Sequence, residues 1–137
     1  MAANTNPIFI KEAINTTANT QIGNTIANAD GTDKKTVITG ANDGTLIYDI
    51  IASSTDTAER YLLVYIGDGV TDWTIGEITI PVGAKSVSLL NIALIPGLAK
   101  RDDGAIFLYS GQTIKVAATA AVTEEKAITC VAIGGNL

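Results

Sequence analysis

The sequence predicts an all-β fold: a single β-sandwich or jelly-roll-like barrel of about seven or eight strands, with an extended N-terminal arm. Three observations support this. The chain of 137 residues has the size of one domain. Its apolar content is mostly Ile, Ala, Val and Leu, with abundant Thr, and the β-branched members of that set fit a pleated sheet. Short apolar runs alternate with glycine-containing turns along most of the chain.

The stretch from Arg60 to Pro81 predicts a long hairpin at the centre of the domain. Tyr61 to Ile66 is an uncharged run of aromatic, branched and aliphatic side chains, which favours a strand buried on both faces. Gly67-Asp68-Gly69 tolerates positive φ, so the chain can turn there. Trp73 to Ile80 returns as the second strand, and Pro81 ends it because proline cannot donate to the ladder.

Residues 1–35 are predicted to form the arm, and residues 36–137 the β domain. Asn and Thr recur along the arm and favour local side-chain bonds over helix. One compact apolar segment, Pro7, Ile8, Phe9 and Ile10, lies near its start. Two interpretations remain open: a frayed terminus, or a strap whose apolar segment pairs with a neighbouring subunit.

Two strands are predicted between the arm and the central hairpin. Thr36 to Thr39 forms the first, and Asn42-Asp43-Gly44 is a strong signal for a hairpin turn into the second. The second runs from Leu46 to Ala52. Strict alternation places one set of its side chains, Leu46, Tyr48 and Ile50, on one face and the other set, Ile47, Asp49 and Ile51, opposite. Residues 53–59 read as a polar loop.

Further strands are predicted after the hairpin. Val87 and Leu89 alternate with serines, and Ala105 to Tyr109 forms a short strand. Residues 91–104, which contain Pro96-Gly97, are irregular. The last two strands are predicted to face the core through Ile114, Val116 and Ala118, and through Ile128, Cys130 and Ala132, with Gly134-Gly135 ending the final strand.

Charge and residue usage exclude several classes of function. The net charge of −5, without a basic cluster, disfavours nucleic acid. The chain has no histidine, the commonest general base and transition-metal ligand. Its single cysteine, Cys130, cannot form an internal disulfide and is predicted to be a buried core residue. No apolar run has the length of a membrane span, and residues 1–7 do not resemble a secretory signal.

No combination of residues predicts catalysis, a cofactor or a metal site. Asp68 and Asp72, like Asp102-Asp103, fall in glycine-rich turns and are expected to be solvated, unlike the pair of carboxyls that a glycosidase holds across a bond. Asn28 to Gly31 resembles part of an EF-hand loop, but Val37 occupies the position that needs a carboxylate. A looser calcium cage from Asp43, Asp68 or Asp72 stays open. Trp73 could stack on a sugar, but packing in the core or hairpin is the favoured interpretation.

Several stretches together resemble a known group of proteins. They are Gly40 to Ile50, Leu62 to Gly69 with Trp73, Leu89 to Asn91 with Ile95 to Leu98, Ser110 to Val116, and Val131 to Gly135. In this order they are similar to small accessory virion proteins of tailed bacteriophages, the group that includes head decoration or cement proteins. The likeness spans about residues 20–137 and concerns turns and strands rather than catalytic signatures.

The resemblance implies a non-enzymatic protein that binds the outside of an assembled capsid and stabilises it. Its partner would be the major capsid protein, and it would act as a homo-oligomer, with a trimer favoured. It would be made in the bacterial host cytoplasm and lie on the outer surface of the virion. An alternative is a carbohydrate-binding or host-recognition module of a phage tail or head fibre. An enzyme is the least favoured class.

Two segments are predicted to make the contacts with capsid or subunits, because both are apolar in irregular surroundings. The first is the arm segment, and the second is the loop around Pro96-Gly97. The predicted contact residues are Pro7, Ile8, Phe9, Ile10, Ile95, Pro96, Leu98, Lys100 and Arg101.

Overall fold

The structure, a computed structural model, describes residues 12–13, 23–89 and 105–137. These residues form an all-β fold of two antiparallel sheets. They contain more strands than the predicted seven or eight. Sheet A consists of β1 (Glu12–Ala13), β2 (Gly23–Ala27), β4 (Thr45–Ser54), β7 (Val87–Ser88), β8 (Ile106–Leu108) and β10 (Ala127–Asn136). Sheet B consists of β3 (Lys35–Thr39), β5 (Arg60–Gly67), β6 (Asp72–Ile80) and β9 (Thr113–Ala118).

Sheet A has two long central strands, β4 and β10, which pair along their whole lengths. The edge of β10 that faces away from β4 pairs with β2 at one end and with β1 at the other. The free edge of β4 carries β7 and β8 in the same manner. Sheet A is therefore four lanes wide, like sheet B, whose order is β3-β9-β5-β6.

Four of the antiparallel pairs are nested in the sequence. Strands β5 and β6 form the innermost pair, and β4 with β7, β3 with β9, and β2 with β10 enclose it successively. Successive pairs alternate between the two sheets. The chain is thus arranged as one long ribbon that is closed at the β5–β6 end.

One cluster of buried aliphatic side chains lies between the sheets. Sheet A contributes Ile50 and Ile128, and sheet B contributes Leu62 and Ile114, all fully buried. The predicted core faces of the last two long strands are confirmed, since Val116, Ala118, Cys130 and Ala132 belong to the same cluster. Burial raises the pKa of the Cys130 thiol to about 12, so this cysteine is a packing residue.

The central hairpin forms as predicted, with a tight turn at Gly67–Thr71. The amide of Asp68 donates to the carbonyl of Thr71, and Gly69 has a φ of 95°. The prediction that the first strand is buried on both faces is wrong. Leu62 and Val64 are buried, whereas Tyr61 is exposed, because sheet B has the core on one side only.

A β-bulge in β4 changes the predicted faces of that strand. Ile133 pairs with Asp49 and the next residue, Gly134, pairs with Ile47, so Tyr48 is the extra residue. The bulge reverses the alternation, as bulges do. Ile47 therefore points into the core with Ile50, and Tyr48 is exposed. The single alternation predicted for residues 46–52 is wrong for this reason.

Two predicted boundaries also differ from the structure. A turn does form at Asn42-Asp43-Gly44, where Gly44 has a φ of 99°, but it connects two sheets. Strand β3 pairs with β9, and β4 pairs with β10, so the predicted hairpin is wrong. Likewise, the final strand does not end at Gly134-Gly135, because β10 continues to Asn136.

Part of the predicted arm belongs to the sheets. Gly23–Ala27 forms β2, and Ile26 is fully buried in the core. A 3₁₀ turn, Asn28–Asp30, then leads into sheet B. The other predicted arm residues, 1–11 and 14–22, lie outside the described residues, as do all nine predicted contact residues.

Candidate interaction surface

The outer face of sheet A is poor in charge. Among its described side chains, Asp49 is the only one that is charged at neutral pH. Its Oδ1 accepts hydrogen bonds from Ser88 Oγ at 2.7 Å and from the Ile50 amide at 2.8 Å. The carboxylate therefore has local partners, and the rest of the face carries no charge of its own.

Apolar side chains occupy the middle of this face. Ile51 and Val131 are directly opposite each other on β4 and β10. Ile133 follows on β10 and is 51% exposed, and Tyr48 stands out at the bulge with 43% exposed. We call these four residues, Tyr48, Ile51, Val131 and Ile133, the apolar patch. Large exposed apolar groups that are contiguous are typical of interaction sites.

The neighbouring end of the same face is also apolar. Leu46 is nearly buried there opposite Phe107 of β8. The Phe107 ring makes an edge-to-face contact with Tyr109, with ring centroids 4.8 Å apart. The ring lies directly over Gly44, where any side chain would overlap it. The opposite end of the face is polar and carries the hydroxyl pair of Thr25 and Thr129, 3.3 Å apart.

The outer face of sheet B differs from that of sheet A because it carries a charged network. Lys34 and Lys115 both reach Asp72 Oδ2, at 3.4 and 3.2 Å. The Lys34 ammonium also lies 4.5 Å from the centre of the Tyr65 ring. Glu77, farther along β6 and opposite Leu63, is also exposed. This face is suited to water, whereas the outer face of sheet A is suited to a partner.

The described residues that flank the two predicted contact segments belong to sheet A or lie next to its strands. Glu12–Ala13, which follows the arm segment, pairs with the end of β10. Leu89 and Ala105, the described residues on either side of the predicted contact loop, adjoin β7 and β8 on β4. The two outer lanes of a four-lane sheet are about 14 Å apart. The structure thus brings the attachment points of the two segments to opposite edges of one sheet, with the apolar patch between them.

The carboxylates at the hairpin turn have structural roles. Asp68 Oδ1 accepts hydrogen bonds from the amides of Val70 and Thr71, and these bonds lower the pKa of Asp68. The predicted turn role of Asp68 is confirmed. Asp72 lies on β6, mostly shielded and paired with two lysines, so its predicted solvated position is wrong.

Trp73 is 53% exposed, so a core position is wrong, while its place on the hairpin opposite Ile66 agrees with the other part of that prediction. It follows Asp72 at the start of β6, where the hairpin reaches the end of the sheet. About half of the side chain is accessible to solvent. This keeps the sugar-stacking alternative open.

A buried carboxylate that the sequence analysis missed lies in the loop after β4. Asp56 accepts hydrogen bonds from Arg60 Nε at 2.7 Å, Thr123 Oγ1 at 2.7 Å and the Ala58 amide at 3.1 Å. Burial acts to raise the pKa of Asp56, but the bonds from Arg60, Thr123 and Ala58 outweigh it and hold the pKa well below its ordinary value. Because its oxygens already accept these hydrogen bonds, Asp56 links two loops and is not available for catalysis.

Other classes of site are not seen in the described residues. Within residues 12–13, 23–89 and 105–137, no group of three or more acidic, cysteine or histidine side chains could hold a metal ion. The same part of the chain contains no helix long and apolar enough to cross a membrane. Comparison with known protein families, with curated proteins and with solved structures found no match.

Proposed function

We propose that this chain is a non-enzymatic bacteriophage structural protein that decorates the outer surface of the head and stabilises it. In this proposal it acts as a homo-oligomer, a trimer favoured, and its partner is the major capsid protein. The observation that carries the proposal is the contrast between the two outer faces. One is nearly uncharged and lies between the described strands that lead to the two predicted contact segments, and the other is charged.

The strand order supports the finer form of the fold. We infer that the two sheets make a jelly roll, because nested antiparallel pairs that alternate between two four-lane sheets are its defining pattern. Jelly rolls occur in viral capsid and lectin domains. The fold admits a virion role and a sugar-binding role, so the choice between them depends on the surface.

The surface favours docking on a protein shell. A net charge of −5 suits the outside of a head rather than its DNA-lined interior. In the proposal the loop residues Ile95, Pro96, Leu98, Lys100 and Arg101 contact the major capsid protein. Pro7, Ile8, Phe9 and Ile10 contact a neighbouring subunit or the shell. Repetition of a modest contact over a shell increases the total affinity.

Reversing the charge of the loop tests the capsid contact. The double variant Lys100→Glu/Arg101→Glu is expected to bind at least about tenfold more weakly than the wild-type chain to heads that lack the protein. Binding is measured by co-sedimentation with purified heads. Its control, Lys85→Glu/Lys126→Glu, makes the same charge change elsewhere and is expected to bind normally. Absence of wild-type binding, or equal binding by both variants, would contradict the proposal.

The second candidate is a carbohydrate-binding or host-recognition module, and the exposed indole of Trp73 favours it. An aromatic ring on a sugar provides an apolar contact that an alanine cannot replace. If this candidate is right, wild-type chain binds defined glycans on an array and Trp73→Ala does not. Tyr109→Ala, which removes another aromatic ring that is more than half exposed, is the control. An array without any wild-type signal rejects this candidate.

A further inference from the structure

The apolar patch has an opening that the backbone requires. Val131 pairs with Gly23 on the neighbouring β2, so the residue directly beside it has no side chain that could cover it. A Cβ at Gly23 would lie 2.3 Å from the Cys130 carbonyl oxygen, so a larger residue cannot be placed there without moving the strands. The geometry of the sheet itself therefore leaves the patch uncovered at position 23, where an apolar partner could bury it.

The direction of β1 shows where the N-terminal segment leaves the sheet. Glu12 pairs with Asn136 and Ala13 with Gly135, antiparallel. Strand β10 ends at Asn136, so a straight continuation of β1 before Glu12 would run past the end of β10. Pro7 is five residues before Glu12, which is a reach of about 17 Å along an extended chain.

Return of this segment to the patch of its own chain would need an immediate reversal. The residues between Ile8 and Glu12 are Phe9, Ile10 and Lys11. None of them is Gly, Asn, Asp or Pro, which are the residues that tight turns prefer. An extended continuation needs no such turn and would direct the apolar segment away from the patch of its own chain.

We propose that Pro7–Ile10 of one copy docks on the apolar patch of a second copy. Four contiguous uncharged apolar residues match a face whose middle is apolar and uncharged. Lys11, directly after the segment, complements Asp49, the one charged side chain among those described on that face. The contact joins different surfaces of the two copies, so it closes either reciprocally in a dimer or around a ring. It does not depend on whether the chain binds a phage head.

Two variants in the full chain remove the two halves of this contact. Ile8→Asp/Ile10→Asp places charge in the segment. Val131→Lys/Ile133→Lys places charge on the patch at positions 39% and 51% exposed, which the fold can tolerate. By sedimentation velocity the wild-type chain is expected to be oligomeric. Each variant is expected to dissociate at a concentration at least about tenfold higher than the wild-type chain does.

Matched controls make the same charge changes elsewhere. Asn4→Asp/Thr5→Asp charges the arm outside its apolar segment. Thr74→Lys/Thr79→Lys charges exposed positions on β6 of sheet B. Both are expected to remain oligomeric. A monomeric wild-type chain, or variants that assemble as well as their controls, would overturn the proposal.

Disulfide trapping separates exchange between copies from docking within one chain. A Phe9→Cys chain mixed with an Ile133→Cys chain is expected to give a covalent heterodimer under mild oxidation, while the buried Cys130 stays reduced. The combined variant Phe9→Cys/Ile133→Cys is expected to form covalent oligomers. A heterodimer yield no higher than with Thr79→Cys in place of Ile133→Cys, or only monomers with an internal bond, would overturn the proposal.

Discussion

Asp56→Asn is expected to lower the free energy of unfolding by about 3 kcal/mol at neutral pH, because it leaves the Arg60 guanidinium without its counter-ion. Asparagine keeps the shape of the side chain but can accept with one oxygen only. The carboxylate now serves Arg60, Thr123 and Ala58 together. A loss of this size corresponds to a fall of about 10 °C in Tm, measurable by calorimetry or denaturant titration.

A paired substitution at a more open site is the control. Asp30 accepts from Lys35 Nζ at 3.1 Å and from the Ala27 amide at 2.7 Å, and it is partly exposed. The change Asp30→Asn is chemically the same, but there water can solvate the Lys35 ammonium that loses its partner. Asp30→Asn should therefore be clearly milder than Asp56→Asn. Equal effects would show that burial of Asp56 is not what makes its bonds matter.

The same carboxylate gives stability a predictable pH dependence. Since the pKa of Asp56 is lower in the folded than in the unfolded chain, its stabilisation is complete above the unfolded value of about 4 and is lost as the pH falls below it. The difference in stability between wild type and Asp56→Asn should therefore be full at pH 7 and shrink below pH of about 4. Unfolding curves of both proteins at pH 7 and below pH of about 4 measure this difference in stability. A difference that grows toward acid pH would contradict the stabilising role of the Asp56 carboxylate.

Gly134→Ala is expected to destabilise the fold by about 3 kcal/mol, the upper part of the range for overpacking. A Cβ at this position would meet the Leu46 carbonyl oxygen and the Cα of Ile47. Both are backbone atoms of the paired strand at the β4 bulge, so neither can rotate away. Chemical denaturation of the variant measures the loss.

Gly83→Ala separates this clash from the loss of glycine as such. Gly83 has a φ of 64° and no atom near its missing side chain, so alanine there costs only about 1 kcal/mol of backbone strain. A Gly134→Ala loss no larger than that of Gly83→Ala would mean that β4 and β10 can separate at the bulge.

Features set by local pattern could be predicted from the sequence. Alternation and glycine placement are local, and they gave the β5–β6 hairpin and the core side of Cys130 correctly. The turn at Asn42-Asp43-Gly44 was also predicted correctly, but the hairpin predicted around it is wrong. Turn chemistry fixes the backbone of a few residues and does not determine which strands pair afterwards.

Features that depend on distant partners could not be predicted. The bulge at Tyr48 depends on Gly134 of the paired strand, and no local signal in β4 announces it. Asp56 reads as an ordinary loop acid because its partner Thr123 is 67 residues away. The apolar patch was missed because Val131 and Ile133 lie on the outer side of an alternating strand, where sequence favours polar residues without requiring them.

The nested pairing of strands sets a condition on when the apolar patch can exist. The patch combines residues of β4 and β10. These strands are about seventy residues apart in the sequence and adjoin only in the folded sheet. An incomplete or partly unfolded chain therefore lacks the surface on which the segment of another copy would dock. If the proposed contact between copies forms, only a completely folded molecule can accept the segment of a neighbour. Nascent or damaged copies would therefore stay outside the assembly.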